Sequence, residues 1–223
     1  MIRTGLSLAL CLAAVPATAQ QSFELPQGCE AYVTVQTAAC TVEHHFTCEG
    51  DPDGFRRRAS LDEDGLTFLG QIDGEAQWIA SFHALAGVLE ELMPDPADPA
   101  SMSDLLGKGL DTYDFRTTSP QTGETRYVGQ DRLTGRSIEI DGVPLEETEY
   151  RITAFDAEGT EIWRSSGNEF VHRDWRRFFS GTGATITPEG RIEHDDKPVE
   201  FIFPGEPGFL SPRPKHGCGV AIS

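Results

Sequence analysis

The stretch Glu149-Tyr-Arg-Ile-Thr-Ala-Phe-Asp-Ala-Glu-Gly-Thr-Glu-Ile-Trp-Arg164 decides the predicted fold. Apolar and polar side chains alternate on both sides of an acidic turn at residues 156–159, which is the pattern of two half-buried strands joined in a hairpin. The same pattern extends in both directions along the chain, with Asp73-Gly74 as a second strong turn signal. Further short strands are predicted at residues 55–60, 66–72, 77–82, 113–117, 125–128, 137–140, 184–187, 191–193 and 199–203.

Helical spacing is confined to one region of the sequence. Residues 84–93 carry an apolar stripe at helical spacing, which Pro94 ends. Residues 101–106 predict a second short helix with Ser101 as its N-cap. We therefore expect an α+β protein in which two short helices pack on one face of a strongly curved, mostly antiparallel sheet of about ten strands.

The first residues have the pattern of a secretory signal. Arg3 precedes a short apolar run, and Ala17-Thr-Ala19 fits a signal peptidase, so residues 1–19 are predicted to be removed before Gln20. Residues 20–223 are then expected to form a single β-rich domain whose C-terminal tail is anchored by Cys218. No later segment is long and apolar enough to predict stable membrane insertion. The expected location is the periplasm.

The charge of the chain is strongly negative. It has 18 Lys and Arg residues against 36 Asp and Glu residues, and loss of Arg3 with the signal changes the net charge from −18 to −19. Such a surface repels phosphate backbones, so nucleic acid is excluded as a partner.

Four cysteines follow the predicted signal, namely Cys29, Cys40, Cys48 and Cys218. An even number in an exported chain favours two disulfides, with three possible pairings. If residues 40–48 form one strand, Cys40 and Cys48 lie too far apart to bond to each other. Pairing with a preceding strand at residues 32–36 places Cys29 opposite Cys48, and this favours Cys40–Cys218 as the second bond.

The histidines between these cysteines, His44 and His45, raise the possibility of a metal clip. Adjacent residues of a strand point to opposite faces, so the two rings cannot hold one metal together. We expect His44 among apolar groups and His45 on the polar face, with no metal and no cofactor.

Standard catalytic motifs are missing from the sequence. The serines lack a nucleophile elbow, and Gly181-Thr-Gly183 lacks the rest of a nucleotide-binding loop. His194, followed by two aspartates, and His172 are candidate bases, and they keep a hydrolase or a metal enzyme open as an alternative.

One segment concentrates arginines and aromatic residues in this acidic protein. Arg173, Arg176 and Arg177 could contact an acidic partner together with Trp175. The other interpretation places Trp175 in the core and pairs the arginines with nearby carboxylates.

In the spacing of its predicted strands, its predicted signal and its curved sheet, the chain resembles the periplasmic lipoprotein-carrier half-barrel superfamily (LolA-like). The nearest part is the hairpin at residues 149–164, followed by Gly167-Asn-Glu-Phe170. The resemblance implies a hydrophobic groove that holds acyl chains or an apolar partner segment.

The first hypothesis is therefore a soluble binding or carrier protein for an apolar ligand or a lipidated partner segment. The alternative is an envelope interaction module with a filled core and no ligand. The residues expected to line the cavity are Phe68, Trp78, Ile79, Phe82, Leu85, Leu89, Tyr150, Ile152 and Trp163.

Overall fold

A computed structural model describes residues 23–219. The predicted signal peptide at residues 1–19 lies outside the described residues. Thirteen strands form one antiparallel sheet. The strands are β1 (Cys29–Thr37), β2 (Val42–Cys48), β3 (Arg56–Leu61), β4 (Leu66–Ile72), β5 (Trp78–His83), β6 (Val88–Leu92), β7 (Leu110–Ser119), β8 (Gly123–Ile140), β9 (Val143–Phe155), β10 (Glu161–His172), β11 (Arg177–Thr187), β12 (Gly190–Asp195) and β13 (Pro198–Ile202). The single helix of the described chain is α1 (Met102–Lys108).

The expected α+β class is wrong, because the architecture is almost entirely β-sheet. Of the two predicted helices, the second is present as α1. Ser101 caps it by accepting a hydrogen bond from the backbone N–H of Asp104, and Gly109 ends it with a φ of 79°. Met102 and Leu105 are its buried residues. The predicted strand count of about ten is also too low.

The helix predicted at residues 84–93 is instead a turn followed by β6. The backbone N–H of Gly87 donates to the carbonyl of Ala84, and Gly87 has a φ of 66°, which glycine adopts without a Cβ penalty. The turn reverses the chain so that β6 pairs with β5 and Leu89 lies opposite Phe82. Over so short a segment, apolar residues at helical spacing fit either a helix or a turn followed by a short strand. Here pairing with β5 selects the strand.

The topology requires the sheet to curl. Strands β1 to β12 follow one another in space as they do in sequence, while β13 pairs with β1 at the opposite edge from β12. Only residues 196–197 separate β12 from β13 in sequence, so the two ends of the sheet must lie close together. One buried cluster joins β1 and β13 to β9, β10 and β11, and it consists of Val33, Val35, Val143, Leu145, Phe170, Phe179 and Phe201.

Two disulfides are present, as expected for an exported chain in an oxidising environment. Cys29 is bonded to Cys48, its direct partner in the β1–β2 register. Cys40, in the turn between these strands, is bonded to Cys218. This pairing is the one that the strand geometry favoured.

The C-terminal tail lies along β1. The backbone N–H of Leu210 donates to Thr34 Oγ1 at 3.0 Å, and that of Lys215 donates to Gln36 Oε1 at 2.9 Å. The Cys40–Cys218 bond fixes the end of the tail to the β1–β2 turn.

Candidate functional site

The curled sheet encloses a cavity of about 410 Å³. Apolar and aromatic side chains make up most of its wall, and five carboxyl groups and two guanidinium groups interrupt it. The residues that line the cavity are Arg58, Phe68, Gly70, Gln71, Ile72, Glu75, Ala76, Trp78, Ala80, Ser81, His83, Glu90, Ala100, Asp111, Tyr113, Phe115, Tyr127, Asp131, Tyr150, Ile152, Trp163, Glu169, Arg177, Phe178 and Ser180.

An aromatic cluster forms one side of the cavity. Trp78 meets Phe115 and Tyr127 edge to face, with ring centroids 5.5 Å and 5.2 Å apart. Tyr127 also lies 5.9 Å from Trp163. Such tilted arrangements are the favourable geometry for aromatic pairs and leave ring faces available for contact with a ligand. Trp78 is 44 % exposed, so its ring joins the cavity wall to the protein surface.

A glycine makes room for one ring of this wall. Gly129 lies opposite Tyr113 in the β7–β8 register. A Cβ atom at Gly129 would lie 2.5 Å from the Tyr113 ring and 2.5 Å from the Arg151 carbonyl oxygen. The missing side chain therefore lets the Tyr113 ring lie across the neighbouring strand.

Three of the five cavity carboxyl groups have partners within the protein. Glu90 accepts hydrogen bonds from Tyr127 Oη at 3.0 Å and Thr117 Oγ1 at 3.1 Å. Glu75 forms an ion pair with Arg176 at 2.7 Å. The third, Asp111, accepts from the backbone N–H of Ser101 at 3.0 Å.

The other two carboxyl groups, Asp131 and Glu169, have no hydrogen-bond or ion-pair partner among residues 23–219. Burial, with repulsion from Glu169 and Asp111, raises the pKa of Asp131 well above its ordinary value. Burial raises the pKa of Glu169 to about 7, although the charge of Arg58 opposes this. Tyr113 lies among the three acids, and burial together with their charges raises the pKa of its phenol.

Of the two guanidinium groups of the cavity, Arg58 is paired with an acid outside it, whereas Arg177 has no ion-pair partner within the described residues. Arg58 Nη1 lies 3.1 Å from Glu43 Oε1, and the Arg58 guanidinium lies 4.8 Å from the Phe68 ring centroid. Although burial opposes ionisation, Arg58 and His45 lower the pKa of Glu43 to about 2. Burial lowers the pKa of Arg177 to about 10, so its side chain is charged at neutral pH.

Five of the nine residues predicted to line a cavity do so, namely Phe68, Trp78, Tyr150, Ile152 and Trp163. Ile79, Phe82, Leu85 and Leu89 do not line it. The β4–β5 register shifts between Trp78 and Ala80. Because of this shift, Phe82 lies opposite Leu69, which does not face the cavity, and not opposite a residue that lines it. Leu89 lies opposite Phe82, and Leu85 is in the turn and 81 % exposed.

The acidic part of the site and half of the aromatic wall were not predicted from the sequence. Asp111 and Asp131 are directly opposed on β7 and β8, and the next inward pair along the ladder is Tyr113 and Gly129. The alternation of residues 111–115 and 127–131 was a usable signal, since inward positions of a strand are two residues apart. Glu169 had no such signal, because its strand is interrupted at Gly167–Glu169 by a shift in register with β11.

The arginine-rich segment is engaged inside the molecule. Trp175 stacks on His172, with ring centroids 3.8 Å apart, and it also packs on Phe179. Arg173 pairs with Glu146 at 2.6 Å. Arg176 donates to the Gly74 carbonyl and pairs with Glu75, and Arg177 is buried. The arginines that have ion-pair partners therefore pair with residues far away in the sequence and not with their sequence neighbours.

His44 and His45 have different neighbours, and the polar face expected for His45 is itself buried, with Glu43 beside the ring. His44 Nδ1 lies 3.0 Å from Thr34 Oγ1, and its ring stacks on Phe23. His45 is fully buried, with Nε2 3.2 Å from Glu43 Oε2 and its ring edge-on to Phe179. Burial is the main cause that lowers the pKa of each imidazole to about 4, so both are neutral at neutral pH.

The other candidate bases lie outside the cavity. His194 borders an open, polar groove on strands β8 to β12, with Nδ1 3.1 Å from Asp196 Oδ2 and Nε2 3.4 Å from Tyr150 Oη. His172 accepts a hydrogen bond from the backbone N–H of Trp175 through Nδ1.

Within residues 23–219, one group of three potential metal ligands converges, formed by Cys40, Glu63 and Cys218. Its two sulfur atoms are bonded to each other, so they do not provide thiolates for a metal.

Comparison of the chain with protein-family models, with curated proteins and with solved structures finds no match. Among the described residues, the one helix is too short to cross a bilayer.

Proposed function

We propose that the protein is a periplasmic binding or carrier protein that holds a small molecule with an apolar body inside the curled sheet. The observation that supports this most strongly is the cavity of about 410 Å³ with its aromatic wall. Pockets for small ligands are typically a few hundred Å³, mostly apolar, and carry a small number of polar groups that orient the ligand. The resemblance to lipoprotein carriers in the spacing of the predicted strands agrees with such a role.

The walls favour a compact ligand over a protein segment. Rings from β5, β7, β8 and β10 converge on the same space, and Trp78 is the one large hydrophobic residue of the cavity wall that is strongly exposed. The interaction-module alternative requires a filled interior and a free arginine surface. The cavity and the internal ion pairs of Arg173 and Arg176 both weigh against that alternative.

The test is titration with N-phenyl-1-naphthylamine, a neutral aromatic probe whose emission rises in an apolar environment. We expect saturable binding to one site per chain. Ala80 lines the cavity and Ala157 is exposed in the β9–β10 turn. Ala80→Leu, which fills part of the cavity, should weaken binding at least tenfold, while Ala157→Leu should leave it unchanged.

A lack of saturable binding would contradict the proposed function. Equal binding by both variants, with both shown to be folded by circular dichroism, would contradict it as well. Native mass spectrometry of the protein purified from the periplasm would then identify any molecule that is retained.

A further inference from the structure

Two acids in the cavity lack any internal partner, and this sets them apart from every other carboxyl group that lines it. Asp131 is only 7 % exposed, yet no side chain or backbone group of the described chain donates a hydrogen bond to it. Glu169 on β10 is half-buried, and it likewise has no hydrogen-bond or ion-pair partner in the described chain. Leaving a buried carboxyl group without a partner costs free energy, and proteins rarely retain such groups without a use for them.

The positive charges of the cavity do not provide the missing partner. Arg58 is already paired with Glu43 and lies over the Phe68 ring. Arg177 is 5 % exposed, its Nη1 has no hydrogen-bond partner, and it forms no ion pair within residues 23–219. Repulsion from two other acids contributes to the raised pKa of Asp131, whereas the charge of Arg58 lowers that of Glu169. Five carboxyl groups line the cavity against these two guanidinium groups, so the cavity is short of positive charge.

The surroundings suit an organic cation better than a metal ion. Calcium or magnesium would need several oxygen atoms converging around one point. No group of three carboxylate oxygens within 4.8 Å of one another occurs in the described chain. The rings of Tyr113, Tyr127 and Trp163 line the same space, and aromatic faces attract ammonium groups.

We infer that the cavity selects a ligand with an apolar body and a positively charged amine, with Asp131 and Glu169 receiving the amine beside the Tyr113 ring. This inference rests on the proposed function and specifies the chemical class of its ligand. An ammonium group donates to both carboxylates and removes their mutual repulsion. The alkyl or aryl body of the ligand then contacts Phe115, Tyr127 and Trp163.

The experiment compares three probes that have the same alkyl chain, namely octylammonium, 1-octanol and octanoate. Each is titrated directly into the full-length protein by calorimetry at pH 8, below its micellar concentration. We expect octylammonium to bind at least tenfold more tightly than 1-octanol, and octanoate to bind most weakly. Asp131→Asn and Glu169→Gln should each reduce the preference for octylammonium at least tenfold and leave 1-octanol binding within a factor of three.

Glu139→Gln is the matched control, because it removes one carboxylate from an exposed position on β8, the strand that carries Asp131. It should leave all three affinities unchanged. Melting curves show whether each variant is folded.

Several results would overturn the inference while leaving the proposed function intact. Equal binding of octylammonium and 1-octanol would show that the acids do not select charge. Tighter binding of octanoate would assign selection to Arg58 and Arg177. Stoichiometric calcium binding that is lost in Asp131→Asn would replace the amine with a metal. If 1-octanol and N-phenyl-1-naphthylamine both fail to bind while octylammonium binds, the apolar part of the proposed function is wrong.

Discussion

Replacing Glu169 by glutamine should stabilise the protein above neutral pH. Its carboxyl group has no hydrogen-bond partner in the described chain, so ionisation places an unpaired charge in the cavity. Burial raises its pKa from 4.5 to about 7. At about 1.4 kcal/mol for each pKa unit, this corresponds to roughly 3 kcal/mol, and water reaching the cavity reduces the expected effect to about 1–2 kcal/mol.

The stabilisation by Glu169→Gln should grow as the pH rises. A carboxyl group whose pKa is raised on folding supports the folded state while it is protonated. That support is complete below about pH 4.5 and is lost as the pH rises through about 7. Glu169→Gln keeps a neutral side chain at every pH. Its advantage over the wild type should therefore be near zero at pH 4.5 and reach its full size by pH 8.

The assay is thermal and urea unfolding of the wild type and the variant at half-unit steps from pH 4.5 to 8.5. For a chain of this length, about 1–2 kcal/mol raises the melting temperature by about 2–8 °C. Glu139→Gln controls for the change in net charge, because Glu139 is exposed on β8. A Glu169→Gln variant that is equally or less stable at pH 8, or whose advantage does not grow with pH, would refute the reasoning.

Two other predictions concern the part of the sheet near β1. His45→Ala should lower the free energy of unfolding by about 2–4 kcal/mol, because the ring is fully buried and hydrogen-bonded to Glu43. His83 is exposed, so His83→Ala should change the free energy of unfolding by less than about 1 kcal/mol in urea. Replacing Cys40 and Cys218 together by serine should lower the free energy of unfolding by about 4–5 kcal/mol, because the bond closes a loop with a sequence separation of 178. A decrease of less than about 1 kcal/mol in the same assay would contradict this.

The local pattern of the sequence was sufficient for most of the strands. The alternation in residues 149–164 and the turn at residues 156–159 predicted the β9–β10 hairpin, and this hairpin is present. The strands at residues 55–60 and 66–72 likewise correspond to β3 and β4. These features depend on neighbouring residues, since turn chemistry and the period of two are local properties.

The disulfides could be predicted for a related reason. Because residues 40–48 were predicted to form one strand, Cys40 and Cys48 were expected to lie too far apart to bond. A short turn to the preceding strand was expected to place Cys29 opposite Cys48. In the actual ladder Gln36 pairs with Val42 next to the turn, a register that would place Cys29 opposite Glu49. The bulge between Ala31 and Val33 shifts the register by one residue and so brings Cys29 opposite Cys48.

The sequence by itself determined the antiparallel strands, most of their turns, the acidic charge and the two disulfides. Only the tertiary structure decided that residues 84–93 form a hairpin, that a shift in the β4–β5 register turns Phe82 away from the cavity, and that Asp131 and Glu169 face the same space. The physical reason is that strand pairing and bulges depend on partners far away in the chain. The curl of a sheet adds up over all thirteen strands, and no short window of sequence contains it.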